Sequence, residues 1–330
     1  MNAKTIVLNA KKMNFDGNLD FSVLSSDVIV YDDTTPEQLL ERIEGADIIV
    51  TKEMPVNGDL IRKFPASVKL ICEAGTGYNN LDLDAAREKG ITVCNIPAYS
   101  SERVAHTAVM MILNLSSTMQ VQMKMLANGN HDNFTKNLQV PHVEVNGKTL
   151  GIIGAGHIGK TVMKIAKALD MNILVYTRTP RADEDGIRYV DLETVLKNSD
   201  YVSLHCPLTP QTKHMINKET LALMKPTAFL INTSRGALVD SVALVEALWN
   251  KQLRAVGLDV YEEEANYFFE DCSGEIVDDA TLQLLVSMPN VLLTSHQAFL
   301  TEEALSNIAE TTLNNVKEFF HNNNLVNEIK

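Results

Sequence analysis

The chain has 330 residues, which at roughly 150 residues per domain predicts about two domains. Hydrophobic residues make up 45% and charged residues 22%, as in ordinary folded proteins, so a disordered or fibrous chain is excluded. The 29 Lys and Arg against 42 Asp and Glu give a formal net charge of −13. This balance argues against a basic nucleic-acid-binding face and against docking on an anionic membrane.

The N-terminal apolar stretch is too short for a signal peptide, and no apolar run approaches the roughly 20 residues that span a bilayer. The four cysteines lie far apart, without the C-x-x-C pair of a zinc or redox site; they are Cys72, Cys94, Cys206 and Cys272. The first three lie in or beside apolar runs, which predicts buried thiols. We therefore expect a reducing, cytoplasmic location and no metal site.

Short apolar runs alternate with helical patterns along the whole chain, which predicts βαβ units and parallel sheets. In the first hundred residues the predicted strands are Thr5–Ala10, Val28–Tyr31, Asp47–Thr51, Lys69–Ala74 and Ile91–Asn95. The helical patterns between them are Pro36–Ile43, Asn57–Phe64 and Leu83–Lys89. One long methionine-rich helix is then predicted from about Ser101 to Leu126, and we expect it to form core or a subunit interface.

A second βαβ series follows a polar stretch at 127–147. Its predicted strands are Thr149–Ile153, Asn172–Thr177, Tyr201–Cys206, Ala228–Thr233, Ala255–Val260 and Val291–Ser295. Helical spacing of apolar residues predicts a last helix over Thr301–His321. Thr301 is the expected N-cap, and Glu302 and Glu303 lie in the first turn, where acidic residues are favourable.

A G-x-G-x-x-G pattern consists of Gly154, Gly156 and Gly159. An apolar strand ends just before it at Ile153, and an amphipathic helical pattern begins at Ile158. Glycines in this context permit a tight turn and the close approach of a pyrophosphate, which then lies on the helix N-terminus. The pattern therefore predicts dinucleotide binding rather than a structural turn.

The residue that selects between NAD and NADP is expected about 20 positions further on. There the strand ends at Thr177, with Arg178 and Arg181 just after it. A carboxylate would repel a 2′-phosphate, whereas Thr and Arg can bind one. The pattern favours NADP(H) slightly, and the alternative is that both arginines are solvated and either cofactor is accepted.

Polar or ionisable residues follow the later strands, where open α/β sheets bind their ligands. Arg235 offers a fork for a carboxylate, and His296 could transfer a proton near neutral pH. Glu264 could pair with that histidine, although it also belongs to a run of three glutamates that could be a solvated loop. Nine acidic residues lie between Asp259 and Asp279; apart from Asp259 and Glu264, we expect them to face solvent.

Five segments together resemble the D-isomer-specific 2-hydroxyacid dehydrogenase family: G-A-G-H-I-G at 154–159, L-H-C-P-L-T at 204–209, I-N-T-S-R-G-A-L-V-D at 231–240, G-L-D-V-Y-E-E-E at 257–264 and S-H-Q-A-F-L-T at 295–301. The resemblance implies that Arg235, Glu264 and His296 are the catalytic triad. It implies a carboxylate-binding loop at Thr76 and Gly77, with Tyr99 and Phe299 shaping the side-chain pocket. The implied cofactor-binding residues are Gly154, Gly156, His157, Ile158, Gly159, Thr177, Arg178, Arg181, His205, Cys206, Pro207, Thr212, Thr233, Ser234 and Asp259, the last holding the nicotinamide carboxamide.

The resemblance also implies two doubly wound parallel-sheet domains, Rossmann- and flavodoxin-like. Residues 1–100, completed by 300–330, would form the substrate domain, and residues 101–299 the inserted NAD(P)-binding domain. A homodimer built on the 101–126 helix is expected. The chain departs from the family at His106, where a glutamate is usual, and at Thr177, where an acid is usual.

The implied reaction is the reversible reduction of a 2-oxo acid to the (R)-2-hydroxy acid with a nicotinamide cofactor. The Y-F-F-E-D run at 267–271 and H-Q-A-F-L-T at 296–301 look most like D-lactate dehydrogenases. The alternatives are a hydroxypyruvate/glyoxylate or 2-hydroxyisocaproate dehydrogenase. A nucleotide-sensing corepressor on the same fold, which binds but does not turn over, is the alternative from another class.

Overall fold

In the computed structural model of the chain, residues 3–14, 17, 19–132, 140–268, 276–321 and 325–330 are described. The chain divides into two compact units. The first contains residues 1–100 and 300–330, and the second contains residues 101–299. Cys272 and the last three residues of the Y-F-F-E-D run, at 269–271, lie outside the described residues.

The first unit contains a five-stranded parallel sheet with strand order β2-β1-β3-β4-β5. Its strands are β1 Lys4–Val7, β2 Asp27–Val30, β3 Ile48–Thr51, β4 Leu70–Glu73 and β5 Thr92–Cys94. The helices between them are α1 Pro36–Arg42, α2 Gly58–Ile61 and α3 Leu83–Glu88, and 3₁₀ turns lie at Ala10–Lys12 and Phe21–Val23. Strands β3 and β4 are buried on both faces, which explains their continuous apolar runs.

The second unit contains a seven-stranded parallel sheet with strand order β12-β11-β10-β9-β6-β7-β8. Its strands are β6 Thr149–Ile153, β7 Asn172–Tyr176, β8 Ile187–Tyr189, β9 Tyr201–Leu204, β10 Phe229–Asn232, β11 Ala255–Leu258 and β12 Val291–Leu293. Its helices are α4 Ser101–Ser116, α5 Met119–Ala127, α6 His157–Ala168, α7 Leu192–Asn198, α8 Lys218–Leu221, α9 Ser241–Trp249 and α10 Ala280–Ser287. Further 3₁₀ turns lie at Gly236–Leu238 and Glu264–Asn266.

The chain then returns to the first unit as α11, Glu302–Phe320. Thr301 caps this helix as predicted, because its side chain accepts a hydrogen bond from the amide of Ala304. Leu305 and Val316 of α11 are buried in one cluster with Cys72 of β4 and Cys94 of β5. The last residues add a hydrogen bond from the Ile329 amide to the Val93 carbonyl. The C-terminal segment therefore completes the core of the first unit.

The two parallel sheets confirm the fold class predicted from the sequence. The prediction of one long helix is wrong: α4 ends at Ser116 and α5 begins at Met119, with Thr118 in the left-handed region at φ 48°. The short edge strand β8 was not predicted, and the helix expected at Asn57–Phe64 is only the single turn α2. Cys72 and Cys94 are buried as expected, whereas Cys206 is half-buried. No helix among the described residues is long and apolar enough to cross a membrane.

Candidate active site

Three neighbouring strands of the second unit end at the same edge of its sheet, because β10, β11 and β12 are adjacent and parallel. Arg235 follows β10, Glu264 follows β11 and His296 follows β12. The Arg235 side chain is half-buried, and its Nη1 donates to the carbonyl of Ser234 at 2.8 Å. This edge therefore carries a guanidinium, a carboxylate and an imidazole on successive strand ends.

His296 and Glu264 form a direct pair. The distance from His296 Nδ1 to Glu264 Oε1 is 2.9 Å, and the two side chains are 16% and 15% exposed. The second oxygen of Glu264 accepts a hydrogen bond from the amide of Tyr261 at 3.0 Å. Because a carboxylate only accepts, Nδ1 carries the proton of this bond, and Nε2 is the nitrogen that can exchange a proton with a ligand.

Asp259 holds the loop that carries His296. Its buried carboxylate accepts hydrogen bonds from the Thr294 hydroxyl at 2.6 Å and from the amides of Gln297 at 3.0 Å and Ala298 at 2.9 Å. Its carbonyl accepts from the His296 amide at 2.6 Å. His296 has φ 51°, a left-handed conformation that is unfavourable for a residue with a Cβ. These bonds hold the His296 backbone in this unfavourable conformation and so fix the position of its imidazole.

The segments that carry Arg235 and Glu264 pack directly on each other. A Cβ at Gly236 would overlap the carbonyl of Tyr261, so only glycine fits beside the arginine. Next to this contact, Glu262 pairs with the ring of His214. The expectation that Glu262 faces solvent is wrong, since its side chain is 18% exposed. Asp279, also expected in solvent, caps α10 and accepts from the Tyr261 hydroxyl at 2.7 Å.

The glycine-rich loop joins β6 to α6. A Cβ at Gly154, which has φ 102°, would lie 2.6 Å from the His205 carbonyl, and a Cβ at Gly159 would overlap the carbonyl of Gly154. Gly156, the N-cap of α6, is exposed and faces open space. His157 is exposed and Ile158 half-buried in the first turn. Two glycines are thus required by packing, and the third leaves the helix N-terminus open to a phosphate.

The end of β9 leads into the other predicted cofactor residues. His205 Nε2 lies 2.9 Å from the Ser203 hydroxyl, and burial lowers the pKa of His205 to about 4, so its ring is neutral. The Ser234 hydroxyl donates to the carbonyl of Cys206 at 2.7 Å, which joins the ends of β9 and β10. Thr233 is buried, and its hydroxyl has no partner among the described residues. Thr212 closes the following turn by donating to the carbonyl of Pro207 at 2.7 Å.

The end of β7 presents two cations. Arg178 and Arg181 are both exposed, and the Thr177 hydroxyl donates to the backbone carbonyl two residues further on at 2.7 Å. Burial and a hydrogen bond to Glu184 raise the pKa of Tyr189, and a hydrogen bond with Arg181 opposes this rise. Both arginines are therefore accessible to a ligand at the end of β7.

In the first unit, Thr76 and Gly77 follow β4 at its carboxyl end. Their backbone amides donate to no group in the described part of the chain. The loop itself is held in place, because Asn95 Nδ2 donates to the Thr76 carbonyl at 2.8 Å and the Thr76 hydroxyl donates to the Ile96 carbonyl at 2.8 Å. Two adjacent free amides on an anchored loop can bind an anion. Tyr99 follows β5 and is half-buried.

Phe299 lies at the end of the second unit. It is 8% exposed, and its ring lies edge-on to the ring of His296, with centroids 6.4 Å apart.

Sequence reasoning missed two supporting residues. Thr294 supports the loop that carries His296, and His214 supports the segment that carries Glu264. Their signal was weak, since a threonine near the end of a strand and a histidine in a turn are both common. Within the described residues no cluster of His, Cys, Asp or Glu could hold a metal ion.

Comparison with known proteins gives the same family. Residues 109–298 match the NAD binding domain of the D-isomer specific 2-hydroxyacid dehydrogenases. A 2-hydroxyacid dehydrogenase homolog of Haemophilus influenzae is 41% identical over 321 residues, covering 95% of this chain and 91% of that protein. The D-lactate dehydrogenase of Escherichia coli K12 is 42% identical over 266 residues, covering 79% of each chain. The crystal structure of an Aquifex aeolicus D-lactate dehydrogenase, complexed with NAD and lactic acid, superposes with a TM-score of 0.88 at 32% identity over 99% of both chains. The chain therefore belongs to the D-isomer specific 2-hydroxyacid dehydrogenase family.

Proposed function

We propose that this protein reversibly reduces a 2-oxo acid to the (R)-2-hydroxy acid with a nicotinamide cofactor, in the manner of a D-lactate dehydrogenase. The observation that carries the proposal is the 2.9 Å pair of Glu264 and His296 at the strand edge that also carries Arg235. Pyruvate is the reference substrate because the similar proteins include D-lactate dehydrogenases. Hydroxypyruvate, glyoxylate and 2-oxoisocaproate are the alternatives.

The residues present fit a dinucleotide. The exposed N-terminus of α6 beside Gly156 suits a pyrophosphate. The buried Thr233 hydroxyl, which has no partner among the described residues, suits a polar group of a ligand. When bound, the nicotinamide supplies the hydride that is added to C2 of the oxo acid. Arg178 and Arg181, with Thr177 in the place of an acid, support a slight preference for NADP(H).

Each unit offers donors that suit the substrate carboxylate. In the second unit, the Arg235 guanidinium can form two parallel hydrogen bonds with a carboxylate. In the first unit, the amides of Thr76 and Gly77 donate to no other group in the described part of the chain and suit the same kind of anion. Arg235 also polarises the C2 carbonyl, which favours the development of negative charge on its oxygen. Tyr99 in the first unit and Phe299 in the second are the residues assigned by resemblance to the substrate side chain.

His296 moves the proton. As hydride reaches C2, the electron pair of the carbonyl bond moves to its oxygen, and His296 Nε2 donates a proton to that oxygen. Glu264 accepts the hydrogen bond of the Nδ1–H group throughout, and it stabilises the imidazolium that forms before Nε2 gives up its proton. In the reverse direction, the neutral imidazole removes the hydroxyl proton of the (R)-2-hydroxy acid.

The decisive experiment is turnover of a 2-oxo acid panel followed by the absorbance of the reduced nicotinamide. Replacing His296 by Gln should lower kcat by about 10²–10⁴-fold with the Kd for the cofactor unchanged. His142→Gln, at an exposed histidine, is the matched control and should retain activity. Full activity of the His296→Gln protein would refute the assignment. Cofactor binding without turnover of any acid would favour a nucleotide-sensing binding protein.

The cofactor preference has its own test. The ratio of kcat/KM for NADPH to that for NADH should exceed one, and Arg178→Gln should reduce it by weakening 2′-phosphate binding. The same variant should leave the NADH value unchanged, because NADH has no such phosphate. A clear preference of the wild-type protein for NADH would refute the inference from Thr177.

Three further assignments belong to the same proposal. The first unit acts as the substrate domain, and the second as the NAD(P)-binding domain.

A homodimer is supported by the partly exposed apolar side chains of α4 and α5, which are Met110, Leu113, Met119, Met123 and Leu126. Met110→Glu should convert a dimer to a monomer in light scattering, whereas the same change at the exposed Val242 should not. The buried thiols of Cys72 and Cys94 support a reducing, cytoplasmic location.

A further inference from the structure

The two unoccupied amides of the first unit each share a peptide unit with a carbonyl. The Thr76 amide lies in the unit of the Gly75 carbonyl, and the Gly77 amide lies in the unit of the Thr76 carbonyl. The described residues contain no cis peptide bond, and in a planar trans peptide the N–H and the C=O point in opposite directions. The groups that hold these two carbonyls therefore set the direction of both amides.

Both carbonyls are held by the segment that follows β5. Asn95 Nδ2 donates to the Thr76 carbonyl at 2.8 Å, and the Ile96 amide donates to the Gly75 carbonyl at 3.0 Å. Asn95 and Ile96 are buried, whereas Thr76 is exposed. The amides of Thr76 and Gly77 therefore point away from the buried Asn95–Ile96 segment, and both remain available to a ligand.

The two carbonyls differ in the kind of donor that holds them. The Gly75 carbonyl accepts from a backbone amide, which is present whatever side chain stands at position 96. The Thr76 carbonyl accepts from the Asn95 side chain. A rotation of the Thr76–Gly77 peptide changes the φ angle of residue 77, and glycine tolerates such changes at little steric cost. The direction of the Gly77 amide thus depends on one side chain.

Asn95 is itself held by two further asparagines. Asn315 of α11 is 1% exposed, and its Nδ2 donates to the Asn95 carbonyl at 3.1 Å. Asn327 Nδ2 donates to Asn315 Oδ1 at 2.9 Å, and the Asn327 carbonyl accepts from the Asn95 amide at 3.3 Å. These three bonds close a ring, and a paired polar network of this kind restricts the motion of its members. The backbone that carries the Asn95 carboxamide is therefore fixed from the side of α11.

We infer that Asn95 is a positioning residue, which orients the Thr76–Gly77 peptide so that the Gly77 amide faces the carboxylate of the 2-oxo acid. This inference rests on the proposed function, in which this loop supplies donors for that carboxylate. Without the Asn95 donor, the Thr76 carbonyl loses its partner and the peptide can turn over. The carbonyl oxygen would then take the place of the Gly77 amide and would repel a carboxylate.

The test measures the binding of oxamate, in which an amide replaces the reducible ketone of pyruvate while the carboxylate remains. Asn95→Leu keeps the size of the side chain and removes the donor without adding a charge. It should raise the Kd for oxamate, measured by calorimetry with the reduced cofactor bound, and the KM for the 2-oxo acid by about 10- to 100-fold, as the loss of a hydrogen bond to a charged group implies. The kcat should change by less than about threefold, because this bond acts equally on the bound substrate and the transition state.

A matched control removes the same kind of bond elsewhere. Asn290 Nδ2 donates to the backbone carbonyl of Arg254 at 2.9 Å in the second unit. Asn290→Leu should lower Tm but leave the Kd for oxamate and the KM unchanged. Asn95→Ala is a second variant for the case that Asn95→Leu does not fold. It leaves space for a water that replaces part of the lost donor, so the Kd for oxamate should rise by about 3- to 10-fold.

Three outcomes decide between the roles. An unchanged Kd for oxamate in a folded Asn95 variant would overturn the inference. A rise in the Kd for the cofactor as large as the rise for oxamate would also overturn it, because the effect would not be confined to the carboxylate-binding loop. A wild-type protein that binds oxamate but reduces no 2-oxo acid would count against the proposed function, and the Kd of the variants for oxamate would still decide the role of Asn95.

Discussion

Replacing Asp259 by Asn tests how the His296 loop is held. The Asp259 carboxylate accepts three hydrogen bonds from that loop, two from backbone amides and one from the Thr294 hydroxyl. Asparagine offers a single acceptor oxygen, and its amide nitrogen would face at least one of these donors. The left-handed backbone of His296 then loses part of its support, while the side chain at 259 keeps its size.

The size of the effect follows from the bonds lost. A hydrogen bond to a charged group contributes about 1.5–3 kcal/mol, and a donor facing a donor adds to the loss, so we expect a cost of about 2–4 kcal/mol. If this cost falls on the conformation that transfers the proton, kcat drops on the order of 30- to 1,000-fold. The Kd for the cofactor should change far less, because the three hydrogen bonds that the Asp259 carboxylate accepts all come from the His296 loop.

The assay is steady-state reduction of the preferred 2-oxo acid, with cofactor Kd measured by fluorescence titration and folding checked by thermal unfolding. Asp191→Asn is the matched control, because Asp191 caps α7 and is accessible there, and asparagine caps helices equally well. A kcat within about threefold of wild type would refute the proposed support. A loss of cofactor affinity equal to the loss of kcat would show that Asp259 acts on the nicotinamide instead.

Three other changes follow from buried contacts. Burial raises the pKa of Glu73 from 4.5 to about 8, so the folded state retains a proton that the unfolded chain has lost. The free energy of unfolding of the wild-type protein should therefore fall as the pH rises from about 4.5 to about 8. In urea unfolding, Glu73→Gln should show a smaller fall over the same pH range, and an equal fall would contradict the reasoning. Gly236→Ala introduces a Cβ that overlaps the Tyr261 carbonyl, and should lower both Tm and kcat; an unchanged kcat would mean that the Arg235 segment does not depend on this contact. His214→Ala removes the partner of Glu262. It should lower the free energy of unfolding in urea by about 0.5–1.5 kcal/mol and leave the Kd for the cofactor unchanged. A loss of cofactor affinity that exceeds this loss of stability would place His214 in the binding site.

The strand ends were predictable because each apolar run stops at a polar or ionisable residue. This signal located Arg235 and His296 without any knowledge of the fold. The break between α4 and α5 was not predictable, since neither glycine nor proline occurs near Thr118. There the Ser116 hydroxyl donates to the Ile112 carbonyl and contacts the Tyr201 hydroxyl at 2.9 Å, and that tertiary contact is invisible to helical periodicity.

The support of the site was less predictable than the site itself. Asp259 was assigned to the cofactor by resemblance, but its three bonds to the following loop depend on the pairing of β11 with β12. Asn95 and Glu73 gave no signal, because a polar or charged residue at the end of an apolar run is ordinarily solvated. Their burial results from the packing of neighbouring strands, which periodicity does not encode.

The insertion of the second unit affects the order of folding during synthesis. Strands β1 to β5 leave the ribosome first, but the residues of α11 that cover Cys72 and Cys94 follow about 200 residues later. At about 5–20 residues per second, the early sheet waits on the order of 10–40 s with one apolar face uncovered. The second unit is contiguous, and its residues are synthesised during that interval. A chain that ends at residue 299 would thus contain all residues of the second unit but would lack α11 of the first, and chaperone binding to that chain should concentrate on the uncovered sheet.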